Sequence, residues 1–293
     1  MDKLVSLLTK ESKYILFNND INKESNWSKD NKLNIDEDIT LYVFNEITEN
    51  SNVDIVINEG RKVNIIEFIS VKNDCTINHN ITCNANSELT IVSLYESNDV
   101  KVVIKANTNI DNRAYFNSKK LSLFMGEVES LYDEKLNSEK AKSECYNVYI
   151  NNSEKPQEFA LNTYHNVKET ESMVRNFAIC KGKSTLNINT NGIVYNGSKQ
   201  SIISQKTKGI LLSKESGISA NPLLQIDEYD CLASHGAGIG AIDEEDLFYL
   251  MSRGLTKIES EKLIIGGFIN PLYEAIVNED LRKVISDKVS KYL

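Results

Sequence analysis

The chain has 293 residues, a net charge of −9 and a pI near 5.1. That excludes a general binder of nucleic acid or of anionic membranes, since both need basic surface. Its apolar share of 41% is that of an ordinary folded protein, with room for one large or two smaller domains. The five cysteines (75, 83, 145, 180 and 231) show no CxxC spacing, which argues against a structural zinc site. The start, MDKLVSLLTKESKYILF, lacks the apolar core of a leader, and no stretch approaches 18 apolar residues. A cytoplasmic chain with reduced thiols and no membrane span is therefore expected.

In chain order, residues 1–50 form a short N-terminal segment. It holds an apolar stretch (Leu4, Val5, Leu7, Leu8) and a polar run from Asn18 to Asn34 that reads as loop. Strands then follow closely: Val53 to Ile57, Val63 to Ile69, Cys75 to Ile81, Glu88 to Tyr95 and Val100 to Lys105. They are rich in β-branched residues and often alternate, as a strand with one buried face requires. Asn, Asp, Ser and Gly fill the turns, and Pro156 is the one proline between 53 and 200. Gly126 to Tyr146 is less apolar and charged, and reads as an insertion or a short helix. Strand spacing of this kind suits a sandwich, a barrel or a β-solenoid. Most of the 35 asparagines lie between 51 and 235, and stacked coils pair side-chain amides along their axis, which tilts the choice toward a solenoid over 51–238. A codon bias toward Asn, Lys and Ile produces the same excess, and no strict repeat consensus is visible.

Beyond His235 the texture becomes helical, giving a C-terminal module over 239–293. Asp243 is a candidate N-cap with Asp246 in the first turn; Leu247, Leu250 and Met251 form a stripe, and Gly254 stands where a C′ glycine closes a helix. Thr256 and Glu259 form a capping box for a second helix, expected to end at Gly266-Gly267. Asn270-Pro271 is expected to open a third and residues 281–293 to form a fourth.

Few constellations suggest chemistry. Gly182-Lys183-Ser184 resembles the end of a phosphate loop, but Phe177 stands where the other glycine belongs, so a β-turn is the reading. Gly236, Gly238 and Gly240 miss the G-x-G-x-x-G spacing by one residue. The three histidines, 79, 165 and 235, have no nucleophile elbow to serve. His79 and His165 read as structural. Cys231 and His235 share one side of a strand, yet four residues of strand separate their Cα atoms by roughly 13 Å. Ligands sit about 2.0–2.3 Å from one ion, so each needs partners from elsewhere.

One long run does carry a family likeness. GILLSKESGISANPLLQIDEYDCLASHGAGIGAIDEEDLFYLMSRGL, followed by a helix ending in Gly-Gly-Phe, resembles the SufB/SufD scaffold proteins of the Suf iron–sulfur cluster assembly system. The elements match in order: the LLLS-type strand, Pro222 before a Leu-x-Ile strand, Ser234-His235-Gly236-Ala237 with Gly two residues later, then Leu-Phe-Tyr-Leu and Ser-Arg-Gly. The Thr163-x-His165 strand and Ser172 to Phe177 fit more loosely. The resemblance implies a right-handed parallel β-helix with a C-terminal α-helical domain and no turnover by this chain alone. It also implies two partners: a SufC-type ABC ATPase docked on the C-terminal helices, and a SufB-type scaffold, or a second copy, paired edge to edge. Leu247, Tyr249, Arg253 and Phe268 are the candidate partner-binding residues, and His235 the candidate interface ligand for iron or a nascent cluster. No tightly bound cofactor is expected, only a transient cluster or iron. The SufB type has Glu after the corresponding His, whereas Gly236 stands here, which favours the SufD type. Many SufD-type members have Cys two residues before the His; here it is Ala233. The chain is short for the family, consistent with a minimal form. The competing reading is a β-helix polysaccharide lyase or hydrolase, which needs a carboxylate cluster on one exposed sheet face that is not evident here.

Overall fold

In the computed structural model, residue 4 and residues 6–8, 13–17, 28–29 and 32–293 are described. Eighteen strands follow one another, and consecutive strands from β3 onward belong alternately to two nine-stranded sheets. One sheet, A, holds β1 (Lys13–Phe17), β4 (Ile39–Ile47), β6 (Lys62–Val71), β8 (Glu88–Ser97), β10 (Tyr115–Leu123), β12 (Lys142–Asn151), β14 (Glu171–Cys180), β16 (Ser201–Leu211) and β18 (Cys231–Gly240), in that spatial order. The other, B, runs β2 (Ser28–Lys29), β3 (Lys32–Ile35), β5 (Ser51–Ile57), β7 (Cys75–Cys83), β9 (Val102–Ile110), β11 (Val128–Leu136), β13 (Pro156–His165), β15 (Thr185–Val194) and β17 (Gly217–Ile226). Every ladder is parallel except β2–β3. This is a parallel β-solenoid of about eight turns.

The stack begins before residue 51, because β3 and β4 already pair into the two sheets. Of the polar run from Asn18 to Asn34, residues 18–27 and 30–31 lie outside the described residues, as does Val5, while 28–29 and 32–34 are strand. The segment from Gly126 to Tyr146 is neither insertion nor helix. It supplies β11 and the first half of β12, whose charged residues alternate outward from Val128, Ser130, Tyr132 and Glu134.

Alternation puts one side of each strand into a core of Leu33, Ile55, Ile65, Leu89, Phe116 and their equivalents. Outside, the predicted amide ladders are present. Asn78 donates to Asn52 at 2.6 Å, Asn166 to Asn137 at 2.7 Å and Asn191 to Asn162 at 2.7 Å. Charges also match from coil to coil, as in Lys62–Glu88, Lys101–Glu127 and Lys142–Glu171. One turn of each coil needs a left-handed residue, and Gly60, Asn86, Arg113, Lys140, Glu169 and Gln200 take it with φ between 52° and 71°. Only the first is a glycine.

Three helices follow: α1 (Glu244–Ser252), α2 (Lys257–Ala275) and α3 (Glu279–Tyr292). The Asp243 cap, the Thr256–Glu259 capping box and Gly254 (φ 96°) stand as the sequence indicates. The C-terminal module has no fourth helix among the described residues, because α2 runs through Gly266, Gly267 and Pro271 without a break. Pro271 withholds a backbone donor from the α2 carbonyls. Sheet A also donates to nearby α2 carbonyls: Tyr146 Oη to that of Phe268 at 2.9 Å and Lys119 Nζ to that of Pro271 at 3.2 Å.

Helices α2 and α3 lie on the outer face of sheet A. Ile265, Ile269, Leu272, Leu281, Ile285 and Val289 pack there with Phe44, Phe68, Leu121, Val148 and Ile179. This is why β4 and β6 lose their alternation: they are buried on both faces. Phe268 stacks on Phe177 with ring centroids 4.9 Å apart.

Candidate functional site

The solenoid ends abruptly. Strand β18 pairs only with β16, and β17 only with β15, so both ten-residue strands carry an open edge among the described residues. On the earlier coils the inward side of each strand is covered by the next coil. At β18 nothing follows, and all its residues after Cys231 are exposed. Leu232 and Leu223 are 69% and 59% exposed, a combination that soluble proteins usually avoid on a long sheet edge.

His235 stands in the middle of this edge. Its register partner is Gln205, itself beside Val174, Cys145 and Ser118 on the coils behind it. Its position is thus the last in a file whose other members are buried. Cys231 opens the same strand, and its thiol donates to the Glu228 carbonyl at 3.2 Å. Burial and the nearby Glu228 and Asp230 charges raise that thiol's pKa, which disfavours the thiolate a metal requires. Among the described residues no group of three or more His, Cys, Asp and Glu side chains could hold a metal ion.

Behind the edge lies a polar lining that the sequence did not announce. Glu67, Ser93, Lys120, Asn147, Asn176 and Thr207 stand side by side on six successive sheet-A strands, all buried and all facing inward. Asn147 donates to Asn176 at 2.9 Å, and Asn176 donates to Thr190 and Thr207 at 2.9 and 3.2 Å. The Gln205 amide donates to the Thr190 carbonyl at 3.1 Å and accepts from the Gly192 N–H at 2.9 Å. Deeper in, Cys145 Sγ donates to Glu134 Oε1 at 2.8 Å, Ser143 donates to the other Glu134 oxygen, and the Lys120 ammonium lies 3.9 Å above the Tyr132 ring. Burial and the Glu134 carboxylate push the Cys145 thiol well up; Cys83 is pushed to about 12 and Cys180 to about 11, chiefly by burial. These thiols are protonated at neutral pH. The signal for this lining is a polar residue at an inward position, legible only once the strand register is known.

His165 and His79 are both interior. His165 bonds to Thr170 Oγ1 at 2.8 Å and Ser172 Oγ at 2.7 Å, and burial lowers its pKa to about 4. His79 is buried with its Nε2 unpartnered.

The candidate partner-binding residues fall in two places. Helix α1 buries no residue, and it presents Phe248 (74% exposed), Tyr249 (57%) and Met251 (45%). Arg253 lies 5.3 Å from the Tyr249 ring and donates to its hydroxyl at 3.4 Å. Leu247, half-buried, faces the other way and lines a cleft with Leu212, Ile242 and Lys257. Ile258 and Leu263 on α2 add exposed apolar surface. Phe268 is apart from this group, half-buried in the helix–sheet seam against Phe177.

Comparison with known proteins places residues 44–268 in a family described as the SUF system FeS cluster assembly, SufBD core domain. An iron–sulfur cluster assembly protein SufD of Bacillus subtilis is 30% identical over 144 residues, 49% of this chain and 33% of that protein. The SufD of Escherichia coli is 34% identical over 84 residues, 29% of this chain and 20% of its own length. That of Plasmodium berghei is 23% identical over 289 residues, 94% of this chain and 20% of the longer protein. The chain thus spans a third or less of the length of these curated relatives.

Proposed function

The chain belongs to the SufBD family of the SUF iron–sulfur cluster assembly system, and from that premise we propose that it is a non-catalytic, SufD-type scaffold subunit. In this reading β17 and β18 form the seam with a SufB-type scaffold or a second copy of this chain. His235 lends an imidazole to iron or a nascent cluster held transiently across that seam. The exposed face of α1, with Tyr249 and Arg253, docks a SufC-type ATPase, and ATP chemistry stays on that subunit. Leu247 supports α1 from its inner side, and Phe268 acts indirectly by holding α2 on the sheet.

One observation carries the reading: a solenoid left open at a ten-residue edge strand, with the motif histidine exposed at its centre. An open ladder can be completed by another chain's strand, and a lone imidazole can be completed as a metal site by that chain's ligands.

The test uses the full-length chain co-expressed with a SufC-type ATPase and a SufB-type scaffold. Removing the helices outright would strip the apolar cover from sheet A, so point changes are preferable. Tyr249→Ala with Arg253→Ala is expected to weaken ATPase capture and leave scaffold pairing intact. His235→Ala is expected to preserve assembly and lower cluster yield. Failure of the unaltered chain to capture either partner or itself would sink the proposal, and an unchanged cluster yield would remove His235 from it.

A further inference from the structure

Several exposed cations of the solenoid, among them Lys62, Lys101, Lys142 and Lys168, are matched from coil to coil by carboxylates. On the outer face of sheet A, beside the C-terminal half of α2, they are not. Arg175 on β14 is the direct register partner of Lys206 on β16, and Lys208 lies two residues further along the same side. All three are exposed, and among the described residues none forms an ion pair. Like charges directly opposite on neighbouring strands repel, and the cluster sits in a chain of net charge −9.

The same three residues line a groove of about 900 Å³, within the size range of small-molecule sites. Its floor includes Gly236 and Gly238 of β18, the register partners of Lys206 and Lys208. A Cβ at either glycine would meet nothing within 4 Å, so the bare backbone faces open space and not a packed neighbour. Glycine inside a strand weakens it and often marks a place where a ligand approaches the main chain. The far wall is apolar: Tyr146, Phe177, Ile239 and Pro271. Tyr146 is fixed there through its bond to the Phe268 carbonyl, and the Lys208 ammonium lies 4.9 Å over the Phe268 ring.

We propose that this groove binds a phosphate-bearing small molecule, its phosphate between Arg175, Lys206 and Lys208 and its apolar part against Tyr146, Ile239 and Pro271. A guanidinium offers a planar fork to two phosphate oxygens, and two ammonium groups add donors and charge. A phosphate also removes the repulsion among the three cations. The groove shares Gly236, Gly238 and Ile239 with the β18 strand of the proposed seam, but its three cations stand on β14 and β16, so binding by the chain alone is tested apart from assembly.

The test is titration of the full-length chain, followed calorimetrically at low ionic strength, with inorganic phosphate, pyrophosphate and ADP as probes. Saturable binding is expected, weakened at least about tenfold in Lys206→Gln/Lys208→Gln and again in Arg175→Gln. Lys105→Gln, an exposed cation on the opposite sheet, is expected to change nothing. ADP binding tighter than pyrophosphate identifies an organic phosphate as the ligand class; equal affinities identify phosphate alone and overturn the apolar half of the site. No saturable binding, equal losses in Lys105→Gln, or a glutamate peptide binding as tightly as pyrophosphate would overturn the proposal.

Discussion

Acidification tests the packed interior through a single ring. His165 is fully buried at the end of β13, and its imidazole is satisfied while neutral. The Thr170 hydroxyl gives its proton to the Val167 carbonyl, so Nδ1–H donates to Thr170 Oγ1 and Nε2 accepts from Ser172. Burial penalises the charged ring and lowers its pKa to about 4, whereas an unfolded histidine titrates near 6.5. The sign follows: the unfolded chain takes up a proton first, so the stability from the neutral ring is complete above about pH 6.5. It is lost progressively as pH falls toward 4. At about 1.4 kcal/mol per pH unit, lowering the pH from 7 to 5 removes about 2 kcal/mol, and the whole window about 3 kcal/mol. In thermal unfolding the first step corresponds to a fall in Tm of about 3 °C for a chain of this length. His165→Gln, which cannot titrate, is expected to lose that part of the pH slope whatever its own stability. Imidazole C–H resonances followed by NMR should show no titration of His165 between pH 8 and 5. A midpoint near 6.5, or identical pH slopes in the two proteins, would refute the reasoning.

Two further expectations follow from the packing. Gly126→Ala would place a methyl 1.8 Å from the Val100 carbonyl oxygen, backbone against backbone, and is expected to cost about 3 kcal/mol or more in urea unfolding. Gly266→Ala, with open space around its Cβ inside α2, should instead gain about 0.5–1 kcal/mol; a loss there would contradict the helix placement. Thiol chemistry offers the other check. At pH 7.5 the native chain should present Cys231 alone to a thiol reagent, with Cys75, Cys83, Cys145 and Cys180 reacting only after unfolding. Rapid reaction of two or more thiols in the folded chain would disprove that burial.

What the sequence discloses and what it hides have separate physical causes. Strand alternation exposes β5, β7 and β9 directly, β-branched apolar runs expose β6 and β8, and the caps at Asp243 and Thr256 mark the helix starts to the residue. The repeat itself is hidden because it is conformational. Six successive coils place a left-handed residue at one turn and fill it with Gly, Asn, Arg, Lys, Glu and Gln. Coil length also drifts: Ile39 pairs with Val63, 24 residues on, while Ser172 pairs with Ile203, 31 on. Neither feature leaves a consensus. Pro271 misleads because the packing that holds α2 straight across it, of Ile265, Ile269 and Leu272 on sheet A, comes from strands more than 100 residues away. His235 is legible through its Ser-His-Gly-Ala context. The polar lining is not, since Asn147 or Lys120 cannot be told from an outward residue without the register. The bare outer face of α1 is equally hidden, because Leu247, Leu250 and Met251 have the spacing of any stripe with a helix or sheet to cover it.

The two ends of the solenoid are unequal, and that bears on how far the chain can polymerise. Among the described residues the first end offers β1, of five residues, and the two-residue β2, which folds back antiparallel on β3. Such stubs are poor templates for a further strand. At the last end both β17 and β18 present ten residues. On the proposed seam, a last-end to last-end contact uses up both open edges at once. A scaffold pair formed in that way would stop at two members without any dedicated stop element.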